Sequence, residues 1–286
     1  MKFFSTILTI AAAIFLANCD LINPPEKIPA YIHIDSFTVK ANYDSFGSSS
    51  HNITDAWIVL DDQVLGAYEL PATIPILEDG TAKITIRAGI KENGISNTRT
   101  AYPFYTAVIL DHLFVPTKTD TINPVISYSG TKVNYLMMED FESSSIIFEP
   151  GIKSSAVLKR TNDTSLVFEG DYSYLAVLPA KNDILEIETE NLYNIPRGKS
   201  VFMELNFKTS IKLVAGIYAV NINESRQLPI VTLNPTSKWK KVYINMGFDI
   251  TNEPSDYVFR FFLGAVNSGT DTAKVYLDNV KLIHFE

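Results

Sequence analysis

Cysteine is nearly absent: the chain of 286 residues has one, Cys19. A single thiol excludes any disulfide within the chain, so the fold must hold by burial alone even in an oxidising compartment. Histidine is scarce as well. The four histidines, His33, His51, His112 and His284, stand apart, and none belongs to a His-Glu-x-x-His run. There is no nucleophile elbow and no Gly-rich phosphate loop, which excludes the motif-borne zinc, serine and nucleotide chemistries. Positive charge is in deficit, with 24 Lys and Arg against 32 Asp and Glu and a net charge of −8. Phosphate binding needs a concentrated basic face, so nucleic acid is excluded as a partner. The acids that do adjoin, Asp61-Asp62 and Glu139-Asp140, alternate faces in a strand or share a turn, and neither pair is set for acid–base work. The chain reads as a non-enzyme.

What is present begins at the N-terminus. Met1-Lys2 is a short positive start, Phe3 to Phe15 is an apolar run too short to span a bilayer, and Leu16-Ala17-Asn18-Cys19 follows at once. That order resembles the signal peptide and lipobox of bacterial lipoproteins, although Asn18 stands where a smaller residue is usual. The resemblance implies that residues 1–18 are removed and that Cys19 carries a diacylglyceryl thioether with a further acyl chain such as palmitate. Each buried methylene contributes about 0.8 kcal/mol, so two or three chains hold a protein on a membrane. It also implies a lipid-anchored place in the bacterial cell envelope. Asp20 is an inner-membrane cue in some bacteria and tolerated on surface lipoproteins of others; the outer membrane is the expected one. An ordinary secretion signal beside a stray thiol is the competing reading.

Residues 19–29 contain Pro24, Pro25 and Pro29 and no apolar periodicity, which describes an extended tether. From Tyr31 the pattern alternates, with Tyr31, His33 and Asp35 on one side and Ile32 and Ile34 on the other, as in a half-buried strand. The segment Asn42 to Asn52 is a loop too polar for a core. Ala56 to Tyr68 holds two apolar runs around Asp61-Asp62-Gln63, which predicts a β-hairpin. With Pro71, the turn at Glu78-Asp79-Gly80 and the strand Lys83 to Arg87, this stretch resembles a PEGA-type, immunoglobulin-like module. The first β-sandwich is placed at 30–128. It contains the cluster Tyr102-Pro103-Phe104-Tyr105, whose rings suit either an exposed platform for a sugar or partner, or a plug between sheets.

After a linker at 129–135, residues 136–286 are strand after strand. Val201, Met203, Leu205 and Phe207 alternate with Phe202, Glu204, Asn206 and Lys208, and 213–220, 241–246, 257–263 and 274–282 repeat the theme between turn residues. No helical stretch of any length intervenes. The expected fold is all-β, two β-sandwich domains, an immunoglobulin-like one followed by a jelly roll. Asp140-Phe141-Glu142, Phe168 to Leu175, Lys238-Trp239-Lys240-Lys241-Val242 and Val275 to Leu282 occur in the order seen in galactose-binding-like jelly rolls, and the second half resembles carbohydrate-binding modules of that type. The resemblance implies a structural calcium at Glu142, Asp171 and Asp278, whose hard oxygens suit that ion. It also implies glycan binding through rings, for which Tyr172, Tyr174, Tyr193, Tyr218 and Trp239 are available. The expected function is a membrane-anchored, non-catalytic envelope lipoprotein that binds glycan. The alternative is a structural or assembly lipoprotein that contacts other envelope proteins and takes no sugar.

Overall fold

The computed structural model describes residues 26–286; Cys19 and the start of the tether lie outside the described residues. Nearly all of the regular structure is β. The N-terminal half comprises β1 (Ala30–Ile34), β2 (Thr38–Val39), α1 (Tyr43–Phe46), β3 (Asp55–Leu60), β4 (Gln63–Glu69), β5 (Ala72–Ile76), β6 (Gly80–Lys91), β7 (Arg99–Ala101), β8 (Val108–Phe114), β9 (Thr119–Thr121) and β10 (Val125–Ile126). The C-terminal half comprises β11 (Val133–Glu139), β12 (Phe148–Pro150), β13 (Val157–Thr161), β14 (Ser173–Leu178), β15 (Ile184–Thr189), β16 (Val201–Thr209), β17 (Leu213–Val220), β18 (Ser225–Leu233), β19 (Thr236–Asn245), α2 (Gly247–Asn252), β20 (Val258–Val266) and β21 (Ala273–Phe285).

In the N-terminal half, β4-β3-β6-β7 form one sheet with β8 added to β6, and the small sheets β5-β1-β9 and β10-β2 face it. Isoleucines from both layers, among them Ile32, Ile34, Ile58, Ile74, Ile84 and Ile86, fill the space between them. The hairpin forms at the expected place. Asp61 and Asp62 both take positive φ, 44° and 68°, in a two-residue turn whose twist matches the flanking strands, and Asp61 Oδ1 accepts from the Lys83 amide at 2.9 Å. The polar loop departs from expectation. Asn42 caps the single turn of α1 through its side chain, which accepts from the Ser45 amide at 3.1 Å. Past it, Ser48 is fully buried beneath the C-terminal half.

The C-terminal half is a sandwich of two antiparallel sheets. One has the order β13-β14-β21-β16-β19 with β11 also on β21, and the other has the order β12-β15-β20-β17-β18. Alternation puts Met203, Leu205, Val275, Leu277 and Leu282 of the first against Ile187, Ile217, Phe259, Phe261 and Leu263 of the second. Each such side chain contributes roughly 1.5–3 kcal/mol on burial. The outer face of the first sheet does not meet water along its length: Phe202, Tyr243 and Ile283 on it belong to the N-terminal core. This sheet is therefore docked, whereas the outer face of the second is open.

Candidate functional site

On the open sheet, the residues that alternate with the core form a second surface. In β17 Leu213, Ala215, Ile217 and Ala219 point inward, which leaves Val214, Gly216 and Tyr218 outside; in β20 Arg260, Phe262 and Gly264 are outside in the same way. Register sets them side by side, with Tyr218 opposite Arg260, Gly216 opposite Phe262 and Val214 opposite Gly264. Glu188 and Glu186 of β15 stand opposite Phe262 and Gly264, and Gln227 of β18 stands opposite Tyr218. Gly216 allows this packing: a Cβ there would overlap the Leu228 carbonyl and stand 2.6 Å from the Phe262 ring. Phe262 lies across the strand where a side chain would otherwise be, and although on the outer face it is only 2 % exposed.

A groove of about 820 Å³ follows, floored by Val214, Phe262 and Gly264 and walled by Lys153, Glu186 and Gln227. Tyr218 stands at its end, its ring centroid 5.2 Å from that of Phe262. Burial and then the neighbouring Glu186 carboxylate push the Tyr218 hydroxyl well above the usual phenol range, so it stays a neutral donor. Arg260 Nη1 lies 3.6 Å from Glu188 Oε1 and balances that acid. An apolar floor with a few polar groups at the walls is the composition of a site that can orient a ligand.

Of the five rings named from the sequence, only Tyr218 reaches this surface. Tyr174 is buried in the core, stacked on Phe141 at 5.1 Å and 14°. Tyr193 packs on Phe261 at 5.8 Å, and Tyr172 lies in a turn under the Arg160 guanidinium, 4.2 Å from its ring centre. Trp239 is on the docked sheet, against Phe168 at 5.4 Å and Tyr276 at 6.2 Å. The groove residues Phe262, Glu186 and Gln227 are absent from the reading of the sequence. The signal that marks them is Gly216 and Gly264 inside strands, where glycine commonly means a close approach.

Of the three residues named for calcium, Glu142 and Asp278 hold a turn through their carboxylates. Glu142 Oε1 accepts from the Asp171 and Tyr172 amides at 2.9 and 3.0 Å, and Asp171 contributes that amide. Asp278 is fully buried; its Oδ2 accepts from Ser173 Oγ at 2.5 Å and its Oδ1 from the Asn279 amide at 2.8 Å. Burial raises the Asp278 carboxyl to about 7 against these hydrogen bonds. Glu139 serves similarly, accepting from the Phe141 and Ile147 amides at 2.8 and 2.6 Å. Among the described residues, no group of three or more His, Cys, Asp and Glu side chains is arranged to hold a metal.

The docked face carries a different constellation. Glu204, at 0 % exposure, accepts from Tyr102 Oη at 2.5 Å and Tyr128 Oη at 2.6 Å, and Lys241 Nζ lies 2.8 Å away. Tyr105 and Tyr243 hydroxyls meet at 3.0 Å beside it. Lys281 Nζ sits 3.6 Å from the centre of the Tyr128 ring, buried and with no hydrogen-bond acceptor among the described residues. Burial alone would raise Glu204, but the Lys241 and Lys281 charges, with hydrogen bonds from Lys241 and Tyr102, hold it down at about 2. Burial lowers Lys281 to about 7, with Glu204 opposing and Lys241 adding to the shift. The cluster Tyr102-Pro103-Phe104-Tyr105 is thus a plug, and it seals the N-terminal sheets onto the docked sheet. Enclosed between Tyr102 and Tyr128 of one half and Lys241 of the other, the Glu204 carboxylate ties the two halves together.

No family model and no curated protein matches this chain. Among solved structures, a carbohydrate-binding module of the β-sandwich superfamily is similar over 91 % of this chain and 99 % of its own, at 12 % identity and a TM-score of 0.44. The xylan-binding domain of Xyn10C from Paenibacillus barcinonensis is similar over 55 % and 99 %, at 10 % identity and 0.40. The family 11 carbohydrate-binding module of a cellulosomal cellulase of Clostridium thermocellum is similar over 54 % and 95 %, at 16 % identity and 0.37. TM-scores this low do not tie the chain to any of them.

Proposed function

We propose that this chain is a lipid-anchored, non-catalytic protein of the bacterial cell envelope that captures glycan in the groove of its open sheet. The observation that carries the reading is that groove: a pre-formed trough with an apolar floor, a neutral tyrosine hydroxyl at its end, and charged and amide side chains in its walls. Such a mixture suits a sugar, whose ring has apolar faces and whose hydroxyls need fixed partners. The anchor rests on the sequence around Cys19. The test is a glycan array probed with the full chain in detergent. The expected result is binding to one class of glycan, weakened about tenfold by Gln227→Ala through loss of a wall hydrogen bond and its desolvated partner. Silence on the array from folded protein counts against the groove as a glycan site.

The assembly reading has its own observation. Among the described residues β8 pairs only with β6, and on this edge strand Ile109 and Leu113 are 64 % and 59 % exposed. An unpaired edge with apolar side chains is a surface for another protein. Cross-linking at position 109 that captures one discrete envelope protein, with the array silent, makes this the better reading.

A further inference from the structure

A second cavity, of about 840 Å³, opens between the two halves. One wall is the loop Ser50 to Asn52 with the β6–β7 turn at Asn93 to Ser96; the other is β19 from Trp239 to Val242, with Asn206 and the turn before β19. Although the chain holds 32 Asp and Glu, none lines this cleft among the described residues, whereas Lys91, Lys240 and Lys241 do. Lys241 is held by Glu204, Lys91 meets Glu69 at 3.5 Å, and exposed Lys240 makes no ion pair among the described residues. At the floor, Asn206 is 2 % exposed. Its Oδ1 accepts from the Ser50 hydroxyl at 2.9 Å, and in the flank the buried Nε1 of Trp239 donates to no acceptor among the described residues. A buried indole donor left without an acceptor costs about 1–3 kcal/mol, which a ligand oxygen would remove. Trp239 and Phe168 form an aromatic flank.

The cleft is also braced. The Asn93 amide donates to the Tyr243 carbonyl at 2.8 Å, the Asn245 amide donates to Asn93 Oδ1 at 2.8 Å, and Asn52 Nδ2 donates to the Lys241 carbonyl at 3.0 Å. A cavity fixed from both sides needs little ordering when it is filled.

We propose that this cleft binds a negatively charged oligosaccharide, one bearing carboxylate or sulfate groups, at a site separate from the groove. The amide side chains and the aromatic flank suit sugar hydroxyls and ring faces, and Lys240, which faces no acid among the described residues, selects for negative charge. The groove, which has Glu186 in its wall, offers no such selection. The two cavities meet only at Thr232 and Pro235, which line both.

The experiment uses the full chain in detergent, with Tyr218→Ala in place to weaken the groove, and titrates tetragalacturonate and the neutral cellotetraose by calorimetry and by Trp fluorescence. The expected result is binding of tetragalacturonate with a change in emission that Trp239→Phe abolishes. Lys240→Glu weakens it about tenfold, Lys240→Arg leaves it within about threefold, and raising salt to about 0.3 M also weakens it. Cellotetraose does not compete. Equal affinity for the two sugars, indifference to Lys240→Glu, or emission that never changes would overturn the proposal. Because the groove is weakened throughout, these outcomes do not depend on whether it binds glycan.

Discussion

On its outer face the docked sheet presents Phe202, Glu204, Lys241, Tyr243 and Lys281, every one of them buried, while the open sheet presents Tyr218, Arg260, Glu186 and Glu188, every one of them partly in water. Both faces arise from the same alternation of side chains, and both mix rings with charges. The difference is what covers them. On the docked face the charges are enclosed by the Tyr102 cluster and each other, so Glu204 and Lys241 compensate one another at 2.8 Å and fix how the halves join. On the open face the charges keep their water, contribute little to stability, and remain free to meet a ligand. A ring beside a carboxylate is therefore a structural joint in one place and a candidate binding surface in the other.

The comparison breaks most readily at Glu204. Glu204→Ala leaves Lys241 and Lys281 buried without their anion, and loss of one partner of a buried pair costs about 3–5 kcal/mol. Thermal and urea melts should show it. A loss no larger than that of an exposed ion pair would mean that the docked face is not the fastener described here.

The next effect is on pH. Lys281 titrates near 7 in the folded protein and at its ordinary 10.5 unfolded, so between those values the unfolded chain binds the extra proton and stability rises with pH. From pH 7 to 9 that slope is worth on the order of 2.5 kcal/mol. Asp278 acts in the opposite sense: its carboxyl, raised to about 7 from 3.8, binds the proton more tightly in the folded state, and stability falls as pH rises between those values. Urea melts across pH should give a minimum near neutrality, and Lys281→Met should flatten the alkaline side alone. A slope unchanged by that substitution would remove Lys281 from the account.

Gly216→Ala tests the open face. The added methyl meets the Leu228 carbonyl and the Phe262 ring, and overpacking of this kind costs about 1–3 kcal/mol. It should also lift Phe262 and distort the groove floor; if the groove binds glycan, that binding is lost in protein that still folds.

The strands and the β3–β4 hairpin were legible because alternation and turn residues act locally: Asp61-Asp62 accept positive φ wherever they stand, and Val201 to Lys208 has one arrangement that buries its apolar set. Covering was not legible. A period of two says that Glu204, Lys241 and Lys281 point away from their own core, and it carries no information about a second layer beyond them. Phe202 and Tyr243 on the same face were the available clue, and they gain meaning only once Tyr102 and Tyr105 lie opposite. The candidate site shows the same limit. Rings chosen by type, from Tyr172 to Trp239, are dispersed by the fold to a turn, a core and two faces, whereas the groove is assembled by register across β15, β20, β17 and β18, of which only β17 and β18 are consecutive in the chain.

Tyr218→Ala should have the smallest effect on stability and the most informative one. The side chain is partly exposed and its hydroxyl stays neutral, so its removal uncovers one edge of Phe262 and costs on the order of 1 kcal/mol. If the open face is a glycan surface, affinity falls by about tenfold with no comparable change in the melt, because an aromatic edge and a hydroxyl donor at the groove's end are lost together. Tyr218→Phe then separates the two contributions, retaining the ring and deleting the donor. A ligand that tolerates Phe but not Ala is held by the ring face, and one that tolerates neither is held by the hydroxyl. Stability lost in parallel with affinity would make Tyr218 a packing residue, and the contrast between the two faces would be one of degree.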